Sequence, residues 1–282
     1  MTLDVSLIVC TRNRAGKLDA CLTALAGLRY KGPWELIFVD NGSTDDTAEV
    51  LQVFRDRASF PVKYVHEATP GLATARNAGL SVASSEVIGF TDDDCYAEPD
   101  LLERTVQTFS DPHIGYAGGR IRPFDPDDFP ITILDKTERV VFPPRSFLRT
   151  GCVMGANMAF RRSALREAGD FDPLFGAGSY FPAEDIDAVS RVSLKGWTGV
   201  YEPAMVVHHH HGRKRADLHA LHQAYDRGRG AYHMKLLLRG APPAWFLRAN
   251  LDLLKRFPRQ PGSAAREAVA SIEYVLRVAG VR

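Results

Sequence analysis

The 282-residue chain is 45% hydrophobic and 24% charged, with a formal net charge of +1. That is enough to bury one large α/β core, or a core plus a smaller appendage. No run of about 18 uncharged apolar residues occurs, so no membrane-spanning helix is expected. The start, Met1-Thr2-Leu3-Asp4, lacks the basic and apolar regions of a signal peptide. Cysteines at 10, 21, 95 and 152 form no CxxC pair or metal-finger spacing, so free thiols in a cytoplasmic protein are expected. The near-neutral total hides an asymmetry. From Gly212 to Arg282 there are 14 Lys/Arg against 5 Asp/Glu, a net of +9, which leaves the first 211 positions at −8. A sign change of that size marks a boundary, giving an expected domain over 1–211 and a basic helical region over 212–282, and it suits the latter to an anionic partner.

In chain order, Val5–Cys10 reads as a buried strand, followed by Thr11-Arg12-Asn13-Arg14 and an amphipathic helix to about Leu28. Leu36–Asp40 is a second strand ending in an acid, Asn41-Gly42-Ser43 a turn, and Thr44–Thr47 the capped start of another helix. Val62–Val65 is a third strand, and Pro70-Gly71 leads into a helix carrying Arg76. Val87–Thr91 is a fourth, running straight into Asp92-Asp93-Asp94. The alternation argues a doubly wound, mostly parallel sheet with flanking helices. In such sheets ligands bind at the C-terminal strand ends. Alternate residues of an extended chain share a face, so Asp92 and Asp94 can converge on one divalent cation with oxygen ligands, Mg²⁺ or Mn²⁺, while Asp93 points elsewhere. A solvated acidic turn is the plainer reading. Asp40 either accepts hydrogen bonds from a nucleotide or caps its own turn. Arg76 either faces a diphosphate or is a solvated helix arginine. No G-x-G-x-x-G turn or G-x-x-x-x-G-K-[ST] loop is present, which disfavours dinucleotide oxidoreductases and P-loop enzymes.

Farther on, Ile114–Ile121 and Gly151–Arg162 are strand-like, with a helix at Ser163–Ala168, and residues 123–150 form a proline-rich loop or lid without a period. Glu184, Asp185 and Asp187 open a helix running to Trp197, either as caps or with a general base among them. Gly199–Val207 runs into His208-His209-His210-His211, where His209 and His211 share a face and either suits a metal. Helices are expected from about Ala216 to Leu238, with weak spots at Gly228 and Gly230, then after Pro242-Pro243 and after Pro261-Gly262. The second of these mixes Leu and aromatic residues with Arg and Lys, as an interfacial helix does, although ordinary docking helices are amphipathic too.

Taken together, V-S-L-I-V-C-T-R-N-R, V-D-N-G-S-T-D-D-T, P-G-L-A-T-A-R-N-A-G, T-D-D-D, G-A-N-M-A-F-R-R, A-E-D-I-D-A-V-S-R and the P-x5-H ending resemble the family 2 glycosyltransferases, from about Val5 to His211. The resemblance implies the GT-A fold and, mostly, inversion at the anomeric carbon. It implies that Thr11, Arg12, Asp40, Arg76, Asp92 and Asp93 hold the nucleotide-sugar, Asp40 accepting from the uracil N–H. Asp92 and Asp94 would be the D-x-D pair, with Asp94 the direct ligand of Mn²⁺ or Mg²⁺. His209, six residues after Pro203, would be a further ligand. Asp185, with Glu184 beside it, would be the catalytic base, and Gly155, Asn157 and Trp197 would lie on the acceptor side. The expected partners are a nucleotide-sugar donor, a saccharide or lipid-linked acceptor and an anionic membrane at its inner face, with no nucleic acid. Competing readings are a sugar-nucleotide nucleotidyltransferase, which calls for a glycine-rich basic loop where Thr11–Lys17 has a single glycine, and a non-catalytic nucleotide- or sugar-binding module.

Overall fold

The computed structural model describes residues 3–280. Its centre is one twisted sheet in the order β3-β2-β1-β4-β8-β6-β9-β5, with β7 added on β9. The strands are β1 (Val5–Thr11), β2 (Trp34–Asp40), β3 (Val62–His66), β4 (Val87–Asp92), β5 (Cys95–Ala97), β6 (Ile114–Pro123), β7 (Val140–Phe142), β8 (Asn157–Arg161) and β9 (Thr198–His209). The parallel arrangement expected from strand–helix alternation holds from β3 through β4. Beyond β4, strands run both ways: β8 is antiparallel to β4 and β6, while β6 and β9 are parallel.

β1, β2 and β4 are near-continuous apolar runs because both of their faces are covered. Alternation divides their side chains between two layers. Ile8, Ile37, Val39, Ile88 and Phe90 enter one cluster, and Leu7, Val9, Leu36, Phe38 and Val87 enter the other. The second layer is closed by Cys21, Leu22 and Leu25 of α1 (Asp19–Ala26), Leu51 of α2 (Thr47–Arg57) and Leu101 and Leu102 of α4 (Leu101–Phe109). The first is closed by α3 (Leu72–Val82), α5 (Arg162–Ala168), α6 (Glu184–Leu194) and, from the C-terminal part, α7 (Leu218–Leu238) and α9 (Pro261–Val278).

The three C-terminal helices, α8 (Pro243–Arg256) among them, follow the expected proline punctuation. Gly228 and Gly230 do not interrupt α7; they are where it touches its neighbours. A Cβ on Gly228 would lie 1.8 Å from the Pro182 carbonyl oxygen, and one on Gly230 would lie 2.0 Å from the Glu267 carbonyl oxygen. Tyr232 is fully buried, its hydroxyl 2.6 Å from Ser190 Oγ and donating to the Leu148 carbonyl at 3.1 Å. Lys235 Nζ pairs with Asp172 and Asp187, each at 2.8 Å. The apolar core therefore continues across residue 211. The 123–150 segment is pinned in its middle, by an Ile121–Leu134 bridge and by β7 on β9.

Candidate active site

Register fixes the first half of the site. Cys10 of β1 pairs with Asp92, and Thr11 pairs with Asp40. The C-terminal ends of three parallel strands thus bring Thr11, Asp40 and Asp92 to one edge of the sheet. Asp93 and Asp94 form the tight turn to β5, which pairs antiparallel with β9 so that Cys95 lies opposite His209. Ligand atoms of Asp92, Asp94, Cys95 and His209 all lie within 4.8 Å of one another. His209 Nε2 is 3.3 Å from Asp94 Oδ1.

The other histidines of the run have separate partners. His208 meets Glu98 at 2.9 Å, His210 meets the Tyr96 hydroxyl at 2.9 Å, and His211 lies 3.7 Å from Asp128. Of the two expected to share a face, His209 lies against Asp94 and His211 against Asp128.

Electrostatics at this edge are those of crowded carboxylates. Burial pushes Asp92 up to about 6; Asp94 and Asp93 add to the push, and Arg76 and His209 pull against it. Burial also raises Asp93, although Thr11 Oγ1 donates to it at 2.6 Å and Arg14 pairs with it at 3.1 Å. Asp94 goes the other way: burial would raise it, but His209 and Arg14 hold it below the usual carboxylate value. The residues present fit a hard divalent cation, since two convergent carboxylates and an imidazole supply oxygen and nitrogen donors where negative charge is under-compensated. Cys95 does not extend that donor set. Burial, with Asp92 and Asp94 nearby, raises its thiol well above the ordinary value and keeps it protonated.

Arg76 links this edge to the second half of the site. It is buried on α3 beside the adjoining rings of Phe90 and Phe171, 5.7 and 5.6 Å from their centroids. Its Nη1 pairs with Glu184 Oε1 at 2.6 Å and its Nη2 lies 3.6 Å from Asp92 Oδ1. It is thus not a solvated helix arginine. Glu184 and Asp185 open α6 directly after Ala183, a non-glycine residue at φ +133°. Backbone of that kind costs on the order of 1–3 kcal/mol and persists only where its surroundings enforce it. Here α7 presses Gly228 onto Pro182 immediately before it.

Asp185 Oδ2 accepts the Gly155 N–H at 3.0 Å and its Oδ1 accepts the Ile186 N–H at 2.6 Å. Burial and the Glu184 charge push it up to about 7 against those hydrogen bonds and Arg76. Gly155 itself lies hard against the guanidinium, because a Cβ there would be 2.4 Å from Arg76 Nη2.

The remaining expected residues divide. Asp40 is buried and accepts from the Ser43 N–H at 2.9 Å and the Tyr64 hydroxyl at 3.0 Å, with His66 at 3.6 Å. Burial alone would raise it; these hydrogen bonds hold it below its ordinary value. Arg12 is exposed on the connection after β1. Asn157 is buried and donates to the Arg120 and Met205 carbonyls at 3.1 and 3.0 Å, filling the bulge between β6 and β9. Trp197 is not brought to the acids. It follows the far end of α6, about 15 Å along the axis from Asp185, with its Nε1 donating to Glu167 at 2.9 Å.

Two residues near the acids were not singled out from sequence. Arg14, the last of the T-R-N-R turn, bridges Asp93 and Asp94. Tyr225, on α7, is raised by burial and lies in the fields of Arg213, Asp185 and Glu184; nothing in the local sequence marks it.

Known proteins share both the sequence and this architecture. The chain is 32% identical over 118 residues to the glycosyltransferase AglE of Haloferax volcanii, covering 42% of this chain and 39% of AglE. It is 28% identical over 221 residues to the pre-mycofactocin glycosyltransferase of Mycobacterium tuberculosis, covering 76% of this chain and 44% of that protein. It thus spans half or less of the length of these relatives. Among solved structures, the mannosyltransferase PcManGT of Pyrobaculum calidifontis, in complex with GDP-Man and Mn²⁺, superposes with a TM-score of 0.69 at 24% identity, covering 94% of this chain and 73% of that one. TarS 1–349 of S. aureus, in complex with UDP-GlcNAc, superposes at 0.69 and 17% identity, covering 99% of this chain and 84% of that one. These structural likenesses establish a GT-A-type fold. Residues 6–169, more than half of the chain, match the family profile Glycosyl transferase family 2, and with the sheet-edge acids and the sequence relatives in agreement, the chain belongs to that family.

Proposed function

We propose that the protein is a metal-dependent, inverting glycosyltransferase that moves a sugar from a nucleotide-sugar, in the first instance a UDP-sugar, to an acceptor hydroxyl in cell-surface polysaccharide or glycolipid synthesis. The observation that carries this reading is the chain of contacts from His209 and Asp94, by way of Asp92 and Arg76, to Glu184, with Asp185 alongside on Gly155. It joins an acidic edge that suits a cation to a half-buried carboxylate poised near neutrality.

In this reading Asp92, Asp94 and His209 would hold Mn²⁺ or Mg²⁺, which when bound would offset the charge developing on the leaving diphosphate. Thr11 and Arg14 set the acidic turn through Asp93, and Asp40 receives the base of the nucleotide. Asp185 takes the proton from the acceptor hydroxyl as that oxygen attacks the anomeric carbon; a positioned base of this kind is worth about 10²–10⁴ in rate. Glu184 is the counter-charge of Arg76, which leaves Asp185 as the base. Gly155 orients it through the backbone N–H. The acceptor is a saccharide or a lipid-linked hydroxyl compound.

The test is a donor-hydrolysis panel that includes UDP-GlcNAc and GDP-mannose, run with Mn²⁺ and with EDTA. Release of a nucleoside diphosphate from one donor, dependent on the cation, is expected. Cation-independent release, or none from any donor, would overturn the proposal.

A further inference from the structure

The last two helices are apolar on the side that faces out as well as on the side that faces in. In α9, Ser263, Glu267, Ala270 and Tyr274 are buried against the protein. On the opposite side Ala265, Ala268, Val269, Ile272, Val275 and Leu276 recur at spacings of three and four and are all exposed, Val269 at 52% and Ile272 at 61%. No charged residue interrupts that stripe. In α8, Trp245 and Ala249 face inward, while Leu247, Leu251 and Leu254 are 61%, 46% and 65% exposed. A helix apolar on both sides is one whose outer side is meant to be covered.

The charges say by what. Lys255 is exposed next to Leu254, Arg259 is exposed just past the end of α8, and Arg248 on the same helix lies over the Phe147 ring. The acids of the two helices are turned to partners within the protein: Asp252 to Arg149 at 3.6 Å, Glu273 to Arg227 at 2.9 Å and Glu267 to Arg229 at 2.8 Å. Two copies meeting through these faces would oppose basic residues to basic residues, which is unfavourable. An anionic bilayer accepts both components, with apolar side chains at the acyl boundary and lysine and arginine heads at the lipid phosphates.

We propose that the outer faces of α8 and α9 form a peripheral docking surface for an anionic membrane. The surface is separate from the transferase chemistry, and its test reads no sugar transfer. Full-length protein is sedimented with phosphatidylcholine vesicles, with and without phosphatidylglycerol, across a salt series. Binding to the anionic vesicles that fades with salt is expected, with little or none to the neutral ones. K255Q/R259Q should weaken it roughly 30-fold at low salt, and I272S/L276S by about 10-fold or more. Both variants should melt with the wild type, since only exposed positions change. Protein left in the supernatant with anionic vesicles at low salt, or binding undiminished in both variants, would overturn the proposal. So would a solution dimer that I272S/L276S dissociates, which would show a second copy to be the occupant.

Discussion

Arg76 and Glu184 stand 108 residues apart in sequence and 2.6 Å apart in space, and both side chains are almost wholly removed from water. The pair ties α3, which packs on β1 and β2, to the first turn of the helix that carries Asp185. Removing Glu184 leaves the buried Arg76 with only the longer contact to Asp92, 3.6 Å away, and breaking a buried pair typically costs about 3–5 kcal/mol. Glu184→Ala should lower unfolding stability by about that amount in urea titration. A loss below about 1 kcal/mol would mean that water reaches Arg76 and that the pair does not hold the site.

Asp185 should separate binding from chemistry. Asp185→Asn should keep near-wild-type nucleotide affinity while transfer falls by ~10²-fold or more. Equal losses of both would make the side chain structural.

The raised value of Asp185, about 7, also has a stability signature. The folded protein holds this proton more tightly than the unfolded chain does. Between the ordinary aspartate value near 4 and pH 7, the unfolded chain therefore releases its proton first, and Asp185 weakens the fold as pH rises. Asp185→Asn should melt above the wild type at pH 8, with the gap closing toward pH 4. A gap that widens on acidification would reverse the sign of the shift. In the wild type, the acid limb of kcat/KM should fall near pH 7 in the free enzyme.

Nucleotide and cation should stabilise the protein together. At about 100 times its Kd, UDP with Mn²⁺ should add about 2.7 kcal/mol. The gain should vanish in EDTA and in Asp94→Ala and shrink in His209→Ala, whereas His211→Ala should leave it intact. Calorimetry of Mn²⁺ binding checks the two histidines directly, and equal effects from both would remove the distinction drawn from their positions.

Gly228 tests the coupling between α7 and the site. Gly228→Ala must move Pro182 or α7, because its Cβ would fall 1.8 Å from a carbonyl oxygen. It should destabilise by about 1–3 kcal/mol and reduce transfer more than nucleotide binding, since Ala183 and Asp185 follow directly. Normal transfer at normal stability would show that the two segments move independently.

How much of this could be read from residues alone differs from one part of the site to another. Asp92 was legible as the end of a buried strand, but Asp94 meets it through the tight turn at Asp93 and Asp94 and not through the strand alternation expected from sequence. His209 was legible only to within two candidates, since strand alternation cannot choose between His209 and His211; the pairing of Cys95 with His209 makes that choice. Glu184 as the partner of Arg76 was not legible, because no short-range pattern connects two helices across most of a domain. The glycines of α7 were misjudged for a related reason. Helix propensity counts Gly228 and Gly230 as weak points, while their value lies in the backbone they let approach, which only tertiary contacts reveal. Trp197 was named from the resemblance alone, and the fold sets it past the end of α6 with its indole on Glu167.

The lysine at 235 carries a consequence for how the chain is made. Asp172 and Asp187 share its ammonium inside the core, and Phe175 and Phe181 pack on Tyr274. A nascent chain emerging from the ribosome amino end first has all its acidic motifs available long before the residues that seat them. Its folding unit closes only once α7 and α9 have emerged, so a ribosome stalled around position 212 would hold the acidic motifs without the helices that seat them.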